Sequence, residues 1–292
     1  MNAIFKRELR DYFCGIFGWI FAAVLVLAGG ALSTVVNLIG SSGDITYLFA
    51  SLPELLILLL PFAASRSFTR ENAKCNSVWL ASLPISRTSL ILGKFFAALV
   101  LFLLPTAVLA LFPPLLNSFG KVAYGSAYIA LLGYVLLGAS LLAICCFVAS
   151  HFRLRPVSIV VNAVICLVIY LLPILATLFY ALPLVSFLFC VLVCIAIGAV
   201  VAIRSKRPLP AILTAVIPSL LFTAIYFLLP GFFDRVLPDI ISWLSLFDRL
   251  GGFRSGHFDL PAAVLYLSIT VLFVFLTIQT PAGIFRKGGV KQ

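Results

Sequence analysis

Residues 156–203 contain no charged side chain, and this run constrains the fold more than any other feature of the chain. An apolar stretch of this length has no stable place on a surface facing water. It is also too long for a single helix across ~30 Å of hydrocarbon, which takes about 20 residues. Pro173 and Pro183 bracket Thr177, Leu178, Phe179 and Tyr180, which suits a tight hairpin between two helices. Uncharged runs of spanning length recur along the chain. Together they give eight spans, near 15–37, 46–65, 95–116, 123–149, 157–179, 182–203, 209–229 and 260–281. The expected fold is all-α, a polytopic helical bundle integral to the membrane, with residues 1–292 forming one transmembrane domain.

Composition agrees: 63% of the residues are hydrophobic and 10% charged, whereas soluble domains are nearer half and a quarter. A net charge of +11 would suggest nucleic acid as the partner of a soluble protein. Here it reads as basic loops facing the cytoplasm and anionic headgroups, and no nucleic acid is expected. With eight spans and the N-terminus inside, only Lys121, Arg235, Arg249 and Arg254 of the 20 Lys and Arg residues fall outside. Treating 156–203 as one span would put seven outside. The positive-inside rule therefore favours eight spans, with both termini cytoplasmic and the chain in the cell's cytoplasmic membrane.

Lys6 and Arg7 ahead of an apolar stretch resemble a secretion signal, but the uncharged run from Tyr12 to Gly43 is too long for a signal core, and Glu8 and Asp11 interrupt the basic leader. An uncleaved first span is expected. Before it, Ile4, Phe5, Leu9, Tyr12 and Phe13 fall on one helical face, with Lys6, Arg7, Glu8, Arg10 and Asp11 on the rest. That pattern fits an N-terminal helix in the inner headgroup layer. A second amphipathic helix is expected in the external segment 230–259. There Leu237, Ile240, Ile241, Leu244 and Phe247 form one stripe, and Asp239, Ser242, Ser245 and Arg249 the other. Trp243 suits the outer interface. The segment reads as a surface connector or as a gate over a pathway.

Catalytic sets are missing from the sequence. It has no Gly-rich phosphate loop, no HExxH and no GxSxG. Its two histidines, His151 and His257, fall on opposite sides of the expected membrane. The chain is read as a non-enzyme, without metal or cofactor. Seven cysteines, none in a segment expected outside, do not form a disulfide framework. Cys190 and Cys194 share a helix face at i, i+4, a spacing open to metal binding or redox sensing, and read first as small packing residues.

Two polar residues inside spans are candidates for a translocation path. Glu54 stands 12 residues before Arg66, about 18 Å along a helix, and an ionisable group at that depth is a functional hypothesis by default. Asn162 in the fifth span either lines the path or hydrogen-bonds between helices.

The loop 66–94 holds Arg66, Arg70, Lys74, Arg87 and Lys94 between two apolar runs, and must emerge into water on the cytoplasmic side. Its pattern, Arg66-Ser67-Phe68, then Glu71, then LASLPIS from Leu80 to Ser86, resembles part of the membrane subunit of an ABC-2-type ATP-binding-cassette exporter. The likeness is nearest to the gliding-motility-like permease group. FKREL at Phe5–Leu9, LGKFFAALVLFLLP at Leu92–Pro105, LSLFDRLGGFRSGHFDL at Leu244–Leu260 and LYLSITVLFVFLT at Leu265–Thr277 resemble successive parts of the same pattern. Cys75, Asn76, Ser77 and Val78 stand where many relatives carry Gly-Thr-x-Glu.

The resemblance implies a permease subunit that forms the path while a separate cytoplasmic ATPase hydrolyses ATP. It also implies a dimer with a second permease subunit, identical or a sister chain. Residues 69–83 would form a coupling helix seated in the ATPase, with Arg70, Glu71 and Lys74 as polar contacts and Trp79 as an apolar anchor. Arg66 and Lys94 are expected to be snorkelling ends of helices. An ion-gradient-driven secondary transporter is the alternative class.

Overall fold

The computed structural model describes residues 2–35, 46–69, 86–117, 123–152, 154–181, 187–188, 191–192, 194, 216–224 and 237–280. Among them the regular structure is helical throughout. In chain order the helices are α1 (Asn2–Phe13), α2 (Ile16–Ser33), α3 (Thr46–Ser51), α4 (Pro53–Thr69), α5 (Arg87–Leu109), α6 (Phe112–Leu116), α7 (Tyr124–His151), α8 (Arg155–Ala181), α9 (Leu237–Leu244), α10 (Gly251–Arg254) and α11 (Leu260–Gln279). Five helical stretches are long and apolar enough to cross a membrane: Ile16–Ser33, Thr88–Leu116, Tyr124–His151, Arg155–Leu178 and Leu260–Gln279.

The chain divides into two compact units, residues 1–168 with 249–292, and residues 169–248. In the first, α7 is the hub. It packs against α11, α4, α3, α10 and α5, while α1 and α2 pack against α5. Leu137, Leu141, Leu142, Ala143 and Ala149 of α7 are buried against these neighbours. Small residues allow the close approach: a Cβ on Gly138 would overlap the Phe102 ring of α5. Lipid tails offer no less apolar a surface than a leucine, so tight packing of this kind is what holds such helices together.

The run 46–65, read as one span, is two helices. Pro53 has no N–H to continue the ladder, so α3 stops at Ser51, Leu52 makes the turn and Pro53 opens α4. The break is braced from the far end of the chain, where the Arg254 guanidinium donates to the Ala50 carbonyl oxygen at 2.5 Å. That cation satisfies one of the carbonyls left orphaned at the end of α3.

The hairpin expected around Thr177–Tyr180 is not formed. Helix α8 continues through Pro173 to Ala181, 27 residues in all, and Thr177 Oγ donates back to the Ile174 carbonyl inside it. A proline in an apolar helix is tolerated where neighbouring side chains and local adjustment satisfy the freed backbone groups. Of the expected sixth and seventh spans, 182–203 and 209–229, only 187–188, 191–192, 194 and 216–224 are described, all helical.

In the second unit, the rings of Tyr170 and Phe247 meet edge to face at 5.2 Å. Helix α9 ends at Leu244, so the stripe drawn from Leu237 to Phe247 stops a turn early. Ser245, expected on the polar side, is fully buried, and its hydroxyl accepts from the Asp248 N–H at 3.3 Å to start the turn Asp248–Leu250. Trp243 is 63% exposed.

Candidate functional site

The densest polar construction in the first unit lies where α1, the last turn of α4 and the start of α5 meet. It is built around Ser67. The Ser67 hydroxyl donates to Glu8 Oε2 at 2.8 Å, and Lys94 Nζ donates to the Ser67 carbonyl oxygen at 2.8 Å. Lys94 also sits 5.0 Å from the centre of the Phe68 ring. Both charged residues are buried, Glu8 at 8% and Lys94 at 2% exposure. One turn beyond Glu8, the Tyr12 hydroxyl donates to the Ala63 carbonyl oxygen at 2.9 Å. Burial, reinforced by the Glu8 carboxylate, pushes the Tyr12 phenol above its ordinary range, so it remains a donor.

These placements follow from local structure. Helix α4 is described as far as Thr69, and Lys94, two turns into α5, reaches across to the carbonyl of its Ser67. At the other end of α1, Arg66 Nη2 reaches the Asp11 carbonyl oxygen at 3.4 Å and lies 5.1 Å from the Phe17 ring centre. Trp19 Nε1 donates to the Phe13 carbonyl oxygen at 3.0 Å. The α1–α2 elbow therefore has two of its carbonyls satisfied by side chains, one from α4 and one from α2 itself. Gly15 precedes α2 at that elbow, where a Cβ would stand 2.9 Å from Arg66 Nη2 and 3.3 Å from the Asp11 carbonyl oxygen.

A second polar group joins α4 to α8. Ser65 and Ser158 share a hydrogen bond at 3.0 Å. Asn162 Nδ2 donates to the Ser158 carbonyl at 3.0 Å and reaches Ser65 Oγ at 3.4 Å. All three residues are fully buried, and Asn162 Oδ1 has no hydrogen-bond partner among the described residues.

The residues singled out from the sequence are distributed unevenly over this frame. Glu54 is exposed in the first turn of α4, where a carboxylate is favoured by the helix dipole. Asn162 is buried beside Ser65, 11 residues further along α4 than Glu54 and so about 16 Å away along the axis. The two are not brought together. Arg70, Glu71, Lys74 and Trp79, with most of the expected coupling segment 69–83, lie outside the described residues. So does Cys190 of the Cys190–Cys194 pair.

Sequence reading missed the site at Ser67. Lys94, expected to snorkel to water, is enclosed, because α5 begins at Arg87 and places it two turns inside the helix. Glu8, assigned to the polar side of α1, faces inward. Its signal was present: Ile4, Glu8 and Tyr12 are spaced i, i+4, i+8 and share one face. In comparisons with known proteins, the chain matches no family model and no curated protein.

The class defined by fold and site is a helical protein with several helices of membrane-spanning length and apolarity. Its densest polar site among the described residues is a set of buried hydrogen bonds between helices. It fixes the end of α4 and the start of α5, the two helices that flank residues 70–85.

Proposed function

We propose that this chain is the membrane-spanning permease subunit of an ABC-2-type ATP-binding-cassette exporter, in which a separate cytoplasmic ATPase supplies the energy. The observation that carries the proposal is the braced root of the 70–85 segment. A loop that passes force from a soluble ATPase to membrane helices must be joined rigidly to those helices. Buried charged hydrogen bonds, one donated by the Ser67 hydroxyl to Glu8 and one donated by Lys94 to the Ser67 carbonyl, tie α1, α4 and α5 together at that point. The motif order over 5–9, 66–86, 92–105 and 244–277 supports the same reading.

In this account the chain has eight spans, both termini and the 66–94 loop are cytoplasmic, and two permease subunits pair in the cytoplasmic membrane. Nucleotide binding closes the two ATPases, and Arg70, Glu71, Lys74 and Trp79 carry that movement into α4 and α5. Removing the loop contact by Trp79→Ala with Glu71→Arg should release the ATPase from the purified complex while leaving the permease folded. Retention of the ATPase by that variant would remove these residues from the interface.

One observation favours the second reading, an ion-gradient-driven secondary transporter. The break at Leu52–Pro53 beside Glu54 is a discontinuous apolar helix, the kind of element around which such transporters place ion and substrate sites. Glu54→Gln separates the two readings. In the exporter, ATP-driven transport falls if Glu54 lines the path, and dissipating the proton gradient has no effect. If transport instead follows the proton gradient and Glu54→Gln uncouples it, the secondary-transporter reading holds.

A further inference from the structure

The charges of α1 are sorted by face in a way that its amphipathic pattern did not require. Both acids are turned toward protein: Glu8 is buried on Ser67, and Asp11 is half-buried, with Arg66 on its carbonyl. Lys6 and Arg10 are exposed on the side opposite Glu8, and Arg7 is exposed between them and Asp11, one turn before that acid. Between the two faces lies a half-buried apolar flank of Phe5, Leu9 and Phe13. The charged residues of α1 in the exposed class are thus three cations, and the two carboxylates are the buried Glu8 and the half-buried Asp11 at the edge of that face.

Depth is marked independently. Trp19 is 63% exposed, yet its indole N–H is fixed on the Phe13 carbonyl at the end of α1, and its ring meets Phe13 edge to face at 6.0 Å. An exposed indole held this way, at the first turn of a helix of spanning length, has the placement of an interfacial tryptophan. With Trp19 at that level, the apolar flank of α1 meets acyl chains and the basic face meets phosphates.

We propose that Lys6, Arg7 and Arg10 form a binding site for the phosphate groups of anionic phospholipids. The occupant is the bilayer itself and not an acidic protein. Guanidinium groups at positions 7 and 10, one turn apart, offer planar forks to phosphate oxygens, and Lys6 adds a point charge beside them. The opposite face of the same two turns holds Ser67 through Glu8. Lipid bound on one side of α1 is therefore connected across a single helix diameter to the last turn of α4, at the start of the 70–85 segment. Anionic lipid would steady the root of that segment. The inference requires a bilayer but no ATPase.

The test uses the full chain carrying Trp79→Phe and Trp243→Phe, so that Trp19 is the remaining tryptophan, reconstituted in phosphatidylcholine vesicles containing some phosphatidylglycerol. Bromine-labelled phosphatidylglycerol should quench Trp19 at a concentration at least about fivefold lower than labelled phosphatidylcholine, the effect of one basic residue near an anionic surface. Lys6→Gln with Arg7→Gln and Arg10→Gln should abolish that preference. Lys6→Arg with Arg7→Lys and Arg10→Lys should keep most of it, and neutralising Arg204, Lys206 and Arg207 instead should leave it intact. Equal quenching by both lipids in the parent chain would overturn the proposal. So would an unchanged preference in the α1 variant, or an equal loss when the 204–207 charges are removed. Because the three side chains are exposed, the variants should fold, which their unchanged helical circular dichroism would establish.

Discussion

Replacing Lys94 by Met should lower the unfolding free energy of the purified protein by about 3 kcal/mol, the cost of removing one partner from a buried charged cluster. Methionine fills much of the lysine volume, so lost packing contributes little. What disappears is the charge-assisted hydrogen bond to the Ser67 carbonyl, typically worth about 1.5–3 kcal/mol. Its removal takes a charged donor away from a carbonyl in a buried setting. Glu8, bonded to the hydroxyl of the same serine, loses the cation that shares that residue. Glu8→Gln alone should cost less, because the amide oxygen still accepts from Ser67. The double variant should cost less than the sum of the two single changes, as expected for groups acting through one residue. Thermal unfolding in detergent measures all three. Strict additivity would show that Glu8 and Lys94 act independently. Under the proposed exporter function, Lys94→Met should uncouple ATP hydrolysis by the partner from export, since the joint between α4 and α5 is loosened while the spans persist.

Phe253→Ala should be at least as costly, about 3–5 kcal/mol. Phe253 is completely buried, and its ring lies against Gly133 of α7, where an added Cβ would overlap Phe253 Cβ and Cγ. It also meets Phe258 edge to face at 5.9 Å. This contact seats the short helix α10 on α7, and Arg254 beside it braces the α3–α4 break. Loss of the ring should therefore loosen that break as well. Gly133→Ala in the parent chain should destabilise by overpacking, about 1–3 kcal/mol. In the Phe253→Ala background the same change should cost less without becoming neutral, because the overlap with Cγ is relieved while the substituted alanine keeps a Cβ 2.6 Å from the added methyl. A fall under about 1 kcal/mol for Phe253→Ala would mean that the segment is not seated on α7. Equal costs for Gly133→Ala in both backgrounds would mean the same.

The helices of spanning length were the most legible part of the sequence. In α2, α5, α7, α8 and α11 an uncharged run is long enough to cross hydrocarbon, and no other stable arrangement suits such a run. Their ends were read less well. Polar and basic residues can continue a helix past its apolar stretch, so α5 begins at Arg87 and α4 runs on to Thr69. Pro53 and Pro173 look alike in sequence, yet one divides a helix and the other does not. Their surroundings differ: at the Pro53 break Arg254 donates to the Ala50 carbonyl, while α8 runs unbroken through Pro173.

The site at Ser67 was hidden for a related reason. Charge on an amphipathic helix normally points to water, and only the docking of α1 on α5 turns Glu8 inward. The Ser65–Ser158–Asn162 group depends on which faces of α4 and α8 meet, and no spacing within either helix encodes that. Asn162 was legible as polar within an apolar run. Its buried setting was not.

The exporter reading rests finally on a partner. Affinity purification of the tagged chain from its own membranes, followed by identification of the proteins that accompany it, tests this most directly. The account predicts an otherwise soluble ATPase with a Gly-rich phosphate loop, recovered in equal amount with the permease and lost on replacing Trp79 and Glu71. A chain that purifies without an ATPase, and whose transport continues on an ion gradient after ATP is removed, would contradict it.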